Sequence, residues 1–176
     1  MPNIKQLHSF GFTLLELLVV IAILGILSAI GVGAFTSSQM KSRDSHRKTD
    51  LKNITTALEV YYNDNFGYPV SSAGAIKGCY SDPAFVDCVW GGAWTGKSNV
   101  LYMAVLPVDN TVYDYYYISA DGKSYVLFAR LENTKDPGVV LNGSDPGEYT
   151  GTDCGNSTTL CNYAVASGNA TLPGVE

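Results

Sequence analysis

Apolar residues are concentrated in one segment near the beginning of the chain. From Phe12 to Phe35 the side chains are apolar or small almost throughout, and residues 17–40 carry no charge. About 20 apolar residues in a helix are enough to cross the hydrocarbon core of a bilayer, so a transmembrane helix is predicted over residues 12–40. A secretory signal peptide would have a shorter apolar core followed by a small cleavage-site residue, whereas here Gly11 precedes the core.

A helical pattern continues beyond this segment, over residues 41–65. Apolar side chains recur there at three- and four-residue steps, at Leu51, Ile54, Ala57, Leu58 and Tyr61. The periodicity predicts an amphipathic helix whose apolar face packs on a sheet. The run from Asn63 to Pro69 is rich in residues that end helices.

The two segments are predicted to form one helix of more than fifty residues, from Phe12 to about Asp64. At a rise of about 1.5 Å per residue, such a helix is too long for one small domain to bury. We therefore expect its apolar half to be buried by side-by-side packing with other copies of the chain.

Residues 66–176 are predicted to form a globular head. Residues 66–99 are interpreted as a connecting loop, and residues 132–176 are loop-rich. Between these two parts, strands are predicted over residues 100–106, 113–119 and 123–131. An antiparallel sheet of these strands, laid on the apolar face of the helix, gives an α+β fold.

The last two predicted strands flank Asp121-Gly122, a dipeptide that favours a type I′ hairpin turn. Side chains alternate between the two faces of a strand. One face of the second strand would carry Tyr125, Leu127, Ala129 and Leu131, and the other Val126 and Phe128.

Charge is divided unevenly along the chain. Residues 1–65 carry six Lys/Arg and five acidic residues, whereas residues 66–176 carry five basic and eleven acidic ones, a balance of −6. Binding to nucleic-acid phosphates needs clustered Lys and Arg. Direct nucleic-acid binding by the head is therefore not expected.

The amphipathic helix carries a group of charged residues, namely Lys41, Arg43, Asp44, His46, Arg47, Lys48, Asp50 and Lys52. They are predicted to face solvent or neighbouring subunits. One interpretation is salt bridging between subunits. The favoured one is an exposed helix face with pairs four residues apart, such as Asp44–Lys48.

The four cysteines all lie in the second half of the chain. Their even number and short spacings favour two local disulfides, Cys79–Cys88 and Cys154–Cys161, formed in an oxidising compartment. Four cysteines allow three connectivities, and zinc is the rival interpretation. The spacings are long for a zinc knuckle, however, and both histidines lie elsewhere.

Glu16 is unusual because a carboxylate within a transmembrane helix costs about 2.5–3.5 kcal/mol. Cleavage after Gly11 would create a cationic α-amino group on Phe12, four residues earlier. In low dielectric, the carboxylate of one subunit and the amine of its neighbour would set the axial register between helices. The alternative is an ordinary signal-anchor helix whose Glu16 reaches the lipid headgroups.

Residues 11–27, GFTLLELLVVIAILGIL, closely resemble the class III signal of type IV prepilins and type II secretion pseudopilins. In that family, a membrane-bound prepilin peptidase cuts after the glycine and methylates the new N-terminus. The resemblance implies that residues 1–11 are a leader, Gly11 is the cleavage residue, Phe12 is the methylated terminus and Glu16 serves in assembly. It also implies the type IV pilin fold.

Two further segments, Tyr62–Pro69 and Leu106–Asp109, resemble parts of major pseudopilins and bacterial pilins. The Asp-Pro-Trp-Gly segment of major pseudopilins is replaced here by residues 109–112, and their glycine-rich calcium loop is not recognisable. These departures favour a pilus subunit over a secretion pseudopilin.

The two indicators of membrane orientation disagree. One Lys precedes the apolar segment and five Lys/Arg follow it in residues 41–52, which by the positive-inside rule places the head in the cytoplasm. The resemblance implies the opposite, and the cysteines agree with it. The expected location is a single pass through the inner membrane with the head outside, and then an extracellular or periplasmic pilus filament.

The head shows no catalytic arrangement, since His8 lies in the leader and His46 in the helix. No cofactor or bound metal is expected. Calcium is the weaker alternative, through a set of acidic residues that are otherwise interpreted as turn residues: Asp109, Asp114, Asp121, Asp136, Asp145 and Asp153. The tyrosines at 113 and 115–117 are expected to pack in the sheet rather than form an adhesive surface.

The sequence therefore predicts a non-enzymatic structural subunit that polymerises as a homo-oligomeric helical filament through residues 12–40. By family analogy, its partners are the prepilin peptidase, an assembly platform protein and an assembly ATPase. One alternative is a major pseudopilin that drives type II secretion. Another, from a different class, is a monomeric membrane-anchored binding domain.

Overall fold

The computed structural model describes residues 11–109, 112–155 and 159–176. The predicted leader lies outside the described residues except for Gly11. The chain divides into two compact units, a first unit of residues 1–39 and a second unit of residues 40–176.

Helix α1 (Leu14–Asn65) is continuous over both predicted helical segments. It begins two residues after the predicted start and ends one residue after the predicted end. In the first unit, every described large apolar side chain is exposed, from 44% at Val19 to 86% at Phe12. The described residues include no helix that is both long enough and apolar enough to cross a bilayer.

In the second unit, α1 buries the stripe predicted from its periodicity. Leu51, Ile54 and Leu58 are fully buried, and Ala57 and Tyr61 are nearly so. They belong to one core cluster with Tyr117, Leu127 and Ala129 of the sheet. Each fully buried large apolar side chain contributes roughly 1.5–3 kcal/mol, so this contact is a main source of the unit's stability.

The described part of the head contains eleven short strands. They are β1 (Val70–Ser72), β2 (Ala75–Lys77), β3 (Cys79–Ser81), β4 (Ala84–Val86), β5 (Trp94–Thr95), β6 (Leu101–Met103), β7 (Tyr116–Ile118), β8 (Val126–Ala129), β9 (Leu141–Asn142), β10 (Asp145–Pro146) and β11 (Tyr163–Ala166). A short 3₁₀ helix covers Lys97–Asn99. The α+β fold class predicted from the sequence is confirmed.

The central sheet is antiparallel, in the order β11-β8-β7. Tyr116 pairs with Phe128, and Ala129 pairs with Tyr163. All four residues of β8 are buried, as expected for a central strand covered on both faces. The predicted alternation is confirmed: Leu127 and Ala129 join the cluster that contains α1, while Val126 and Phe128 join a second cluster around Cys154 and Cys161.

The predicted two-residue turn at Asp121-Gly122 is wrong. Strand β7 ends at Ile118 and β8 begins at Val126, so residues 119–125 connect them. Gly122 has φ +73°, and a Cβ there would lie 2.8 Å from the carbonyl oxygen of Tyr68. Its own carbonyl accepts the backbone N–H of Tyr68 at 2.7 Å. Gly122 thus allows the backbone of Tyr68 to approach closely. It lies within a seven-residue connection rather than a two-residue turn.

Residues 66–99, predicted to be a loop, form small antiparallel pairs instead. Strands β1 and β2 pair, β3 and β4 pair, and β5 pairs with β6. Trp94 of β5 is fully buried, and its indole N–H donates to the carbonyl of Gly78 at 3.0 Å. Strands of two or three residues are too short to show periodicity, which explains the error.

Two disulfides hold the irregular parts of the head. Cys79 at the start of β3 is bonded to Cys88, just after β4, and Cys154 is bonded to Cys161. This is the pairing favoured from the spacing. Cys154 and Cys161 are fully buried under β8, so this second bridge is part of the core.

Candidate functional site

The backbone at the beginning of the described chain is not helical before Leu14. Gly11, Phe12 and Thr13 are all exposed, and nothing lies within 4 Å of where a Cβ on Gly11 would be. The peptide bond between Gly11 and Phe12 is therefore accessible to another protein. An added methyl group at Gly11 would meet no obstacle within the described chain.

Thr13 and Glu16 cap the first turn of α1. A Glu16 carboxylate oxygen, Oε2, accepts both the backbone N–H and the hydroxyl of Thr13 at 2.8 Å, and the Glu16 N–H donates to Thr13 Oγ1 at 3.2 Å. This reciprocal arrangement is a capping box, which satisfies backbone donors at a helix N-terminus. The Thr-x-x-Glu spacing of residues 13–16 is the sequence pattern of a capping box. The prediction from the sequence did not include this box.

Glu16 therefore has a local partner as well as the intersubunit role predicted for it. Both bonds that it accepts from the described residues use Oε2. An ionised carboxylate has about four acceptor positions on its two oxygens, so Oε1 is available to a donor from outside the described chain. The capping box fixes where that oxygen lies relative to Phe12.

Arg47 is the centre of a buried ion-pair cluster. Its side chain is 2% exposed, and its guanidinium binds three carboxylates: Asp44 at 2.8 Å, Glu132 at 2.9 Å, and Asp109 through both Nε and Nη2. The guanidinium also lies 5.2 Å from the ring centroid of Tyr113. We call Asp44, Arg47, Asp109 and Glu132 the Arg47 cluster.

Asp44 links this cluster to the backbone of the head through hydrogen bonds. Its two carboxylate oxygens accept the backbone N–H groups of Glu132 and Asn133 at 2.9 and 2.8 Å. Arg43 adds a second guanidinium, which binds both carboxylate oxygens of Glu132. Hydrogen bonds from Arg43, and then from Arg47, outweigh burial and lower the pKa of Glu132 below its usual range.

The predicted exposed charge face is therefore wrong for its central residues. Asp44 and Arg47 are buried, and Lys48 pairs with Asp136 at 2.6 Å rather than with Asp44. Burial is the largest single effect and raises the pKa of Asp136, but the hydrogen bonds from Lys48 and from the backbone N–H of Gly138 together outweigh it, so the pKa lies below its usual value. Helical spacing cannot reveal partners that lie more than sixty residues away in sequence.

Tyr115 and Tyr117 pack inside the head, as expected, and their hydroxyls also donate hydrogen bonds. Tyr115 and Tyr117 are buried, and their hydroxyls donate to Asp50 and to the carbonyl of Pro69, each at 2.7 Å. Burial, followed by the bond to Asp50, raises the pKa of Tyr115. These hydroxyls are occupied inside the fold and do not form an exposed adhesive patch.

Two aspartates considered as calcium ligands have other partners, since Asp109 binds Arg47 and Asp136 binds Lys48. Asp121 and Asp153 accept backbone N–H groups two residues ahead, as turn residues do. Within the described ranges, no group of three or more His, Cys, Asp or Glu side chains is arranged to hold a metal ion.

Comparison with known proteins gives one motif and several relatives. Residues 7–32 match the prokaryotic N-terminal methylation motif. The chain is 32% identical to the type II secretion system core protein G of Vibrio cholerae, over 86% of this chain and 94% of the relative. No solved structure matches.

Two other relatives match over shorter stretches. Core protein G of Pseudomonas aeruginosa is 44% identical over 36% of this chain and 45% of the relative. The type IV major pilin protein PilA of Myxococcus xanthus is 43% identical over 33% of this chain and 26% of the relative. The chain therefore spans less than half the length of these two proteins.

Proposed function

Because this chain belongs to the family that includes type II secretion core protein G and the type IV pilins, we propose that it is the structural subunit of a pilus-like filament. The observation that carries this function is the exposed apolar surface of α1 in the first unit, where Leu14 is 83% exposed and Val19, the least exposed of the described large apolar residues, is 44%. Apolar area of this extent is favourable only when lipid or other protein covers it.

The chain is first held in the inner membrane by residues 12–40, with the head outside. The apolar composition of this segment and the two disulfides of the head support that location. A prepilin peptidase then cuts between Gly11 and Phe12 and methylates Phe12. The accessible, non-helical backbone at this bond suits a protease substrate.

Assembly brings the Glu16 carboxylate of one subunit to the new N-terminal amine of another. The capping box leaves Oε1 for that contact, and an apolar environment strengthens it. An assembly platform and ATPase are the expected partners. The subunit itself has no catalytic role, in keeping with relatives that are named as secretion core and pilin proteins.

Gly11→Ala tests the processing step. The substitution meets no obstacle in the described chain, so the fold is expected to be unchanged and the effect to arise at the peptidase. The variant should remain uncut in the membrane fraction, whereas the wild-type chain should lose residues 1–11 and gain one methyl group. Intact mass spectrometry of both proteins, from cells that express the peptidase, measures this directly.

The matched control is Gly25→Ala, a second glycine with open space around its Cβ position, which should be processed normally. If Gly11→Ala is cut as completely as the wild type, residues 11 and 12 are not the processing site and the proposal loses its first step.

A secretion pseudopilin is the second candidate, and the match to a type II secretion core protein over 94% of its length favours it. Deletion of the gene separates the two functions. If the protein is a pilus subunit, cells that lack the gene should have no surface filaments and should export proteins normally. If it is a pseudopilin, these cells should retain the exported hydrolases in the periplasm and should have unchanged surface pili.

A further inference from the structure

The head contains an open cavity of about 380 Å³ that the proposed function does not use. Four separate segments of the second unit form its described walls. They are residues 73–75 at the turn from β1 to β2, Trp90, residues 114–116 at the start of β7, and Asp153 with Gly155 in the second disulfide loop. A cavity of this volume is large enough for one small organic molecule.

The walls of this cavity are held in place by backbone hydrogen bonds and by both disulfides. The N–H of Asp114 donates to the carbonyl of Cys154 at 2.8 Å, which joins two of the segments. Cys88, two residues before Trp90, donates its N–H to the carbonyl of Ile76 at 2.8 Å. Each of these cysteines is also bonded to its disulfide partner. The cavity is therefore preformed and does not need a ligand to order it.

Three aromatic rings line the cavity, those of Trp90, Tyr115 and Tyr116. The rings of Trp90 and Tyr115 meet edge to face, with their centroids 6.0 Å apart. The hydroxyl of Tyr115 is already used, because it donates to Asp50 at 2.7 Å. The faces of aromatic rings carry partial negative charge and attract cations.

The charged side chains among the described residues of this cavity are both acidic. Asp114 and Asp153 line it, whereas none of its described lining residues is Lys, Arg or His. One carboxylate oxygen of Asp153 accepts the backbone N–H of Gly155 at 2.9 Å. Asp114 has no ion-pair partner within the described ranges. A cavity with this charge attracts cations and repels anions.

The same lining favours an organic cation over a metal ion. Calcium takes about six to eight oxygen ligands, and the described residues contain no group of three or more His, Cys, Asp or Glu that could hold a metal. A primary ammonium group has three N–H donors that each need an acceptor. A quaternary ammonium group has no donor, and it needs only ring faces and a nearby negative charge.

We propose that this cavity binds a small quaternary ammonium cation. The rings of Trp90, Tyr115 and Tyr116 contact its methyl groups, and Asp114 and Asp153 supply the compensating negative charge. The inference goes beyond the proposed function and does not depend on it, because every residue of the cavity lies in the second unit. It gives the head a ligand site that is separate from the polymerising helix.

Titration of the full chain with choline, in a non-ionic detergent and at constant ionic strength, tests the site. The chain has two tryptophans, and Trp94 is fully buried with its indole N–H bonded to Gly78. A change in tryptophan fluorescence therefore reports mainly on Trp90. We expect a saturable change with choline and none with dimethylbutanol, the uncharged isostere of choline. Isothermal titration calorimetry gives the Kd.

Asp114→Asn removes one negative charge from the cavity and preserves the shape of the side chain. The Kd for choline should rise at least about fivefold, the order of effect expected from a single charge contact of a bound cation. Asp145→Asn is the matched control, since Asp145 is exposed in β10 and does not line the cavity. Its Kd should equal that of the wild type, and both variants should keep the wild-type Tm.

Three results would overturn the inference: no saturable binding below about 10 mM choline, equal Kd values for choline and dimethylbutanol, or an unchanged Kd in Asp114→Asn. Tighter binding of ethanolamine, the primary amine that corresponds to choline, would overturn the assignment to a quaternary ammonium cation. Filaments take no part in these titrations. Failure of the ligand site is therefore distinguishable from failure of the proposed filament.

Discussion

Arg47→Ala should destabilise the second unit by about 3–5 kcal/mol, because it leaves buried carboxylates without their common cation. Asp44 and Asp109 have side chains 3% and 5% exposed, and Glu132 is 18% exposed. Deprived of the guanidinium, the two aspartates repel each other in a region of low dielectric. For a unit of this size, the loss corresponds to a fall in Tm of roughly 10 °C or more.

Thermal unfolding of the detergent-solubilised chain, followed by near-UV circular dichroism of the buried tyrosines, measures the effect. Arg43→Ala is the matched control: Arg43 also binds Glu132, but its side chain is 44% exposed. Exposed ion pairs contribute less than about 1 kcal/mol, so its Tm should change little. Equal decreases in Tm for the two variants would show that burial does not determine how much the Arg47 cluster contributes to the stability of the second unit.

Glu16→Ala should leave membrane insertion intact and reduce filament yield by a factor of ten or more. A hydrogen bond to a charged group contributes roughly 1.5–3 kcal/mol, and this contact recurs at every subunit of a filament. The capping box is also lost, which costs about 1 kcal/mol of helix stability. Quantitative immunoblotting of sheared filaments against the membrane pool gives the yield.

Two variants separate assembly from capping. Glu16→Gln keeps an oxygen that accepts the Thr13 bonds but removes the charge, whereas Thr13→Ala removes the capping partner and keeps the charge. We expect the glutamine variant to assemble as poorly as the alanine variant, and Thr13→Ala to assemble nearly normally. If Thr13→Ala assembled poorly and Glu16→Gln assembled normally, the role of Glu16 would be to cap the helix and not to bind the neighbouring subunit.

The sequence predicted those parts of the fold that periodicity or local chemistry determines. The stripe from Leu51 to Tyr61 follows from helical spacing, and the two faces of β8 follow from strand alternation. The two local disulfides follow from short cysteine spacings. Each of these features is determined by residues close together in the chain.

Long-range contacts were not predictable in the same way. Arg47 and Asp109 are 62 positions apart, and nothing in the helix pattern distinguishes a buried arginine from a solvated one. The short pairs between residues 70 and 95 depend on a disulfide and on the burial of Trp94 rather than on strand propensity. The capping box at Thr13 is different, because its signal was local and was overlooked.

The central claim is that the mature chain exists mainly as a polymer whose subunits bury the apolar part of α1 against one another. The most direct test is the intact mass of the protein recovered from sheared, sedimented filaments of cells that express it. The account predicts abundant sedimenting filaments composed of residues 12–176 with one added methyl group. A full-length chain of 176 residues that stays in the membrane as a monomer, with no sedimenting polymer, would contradict it.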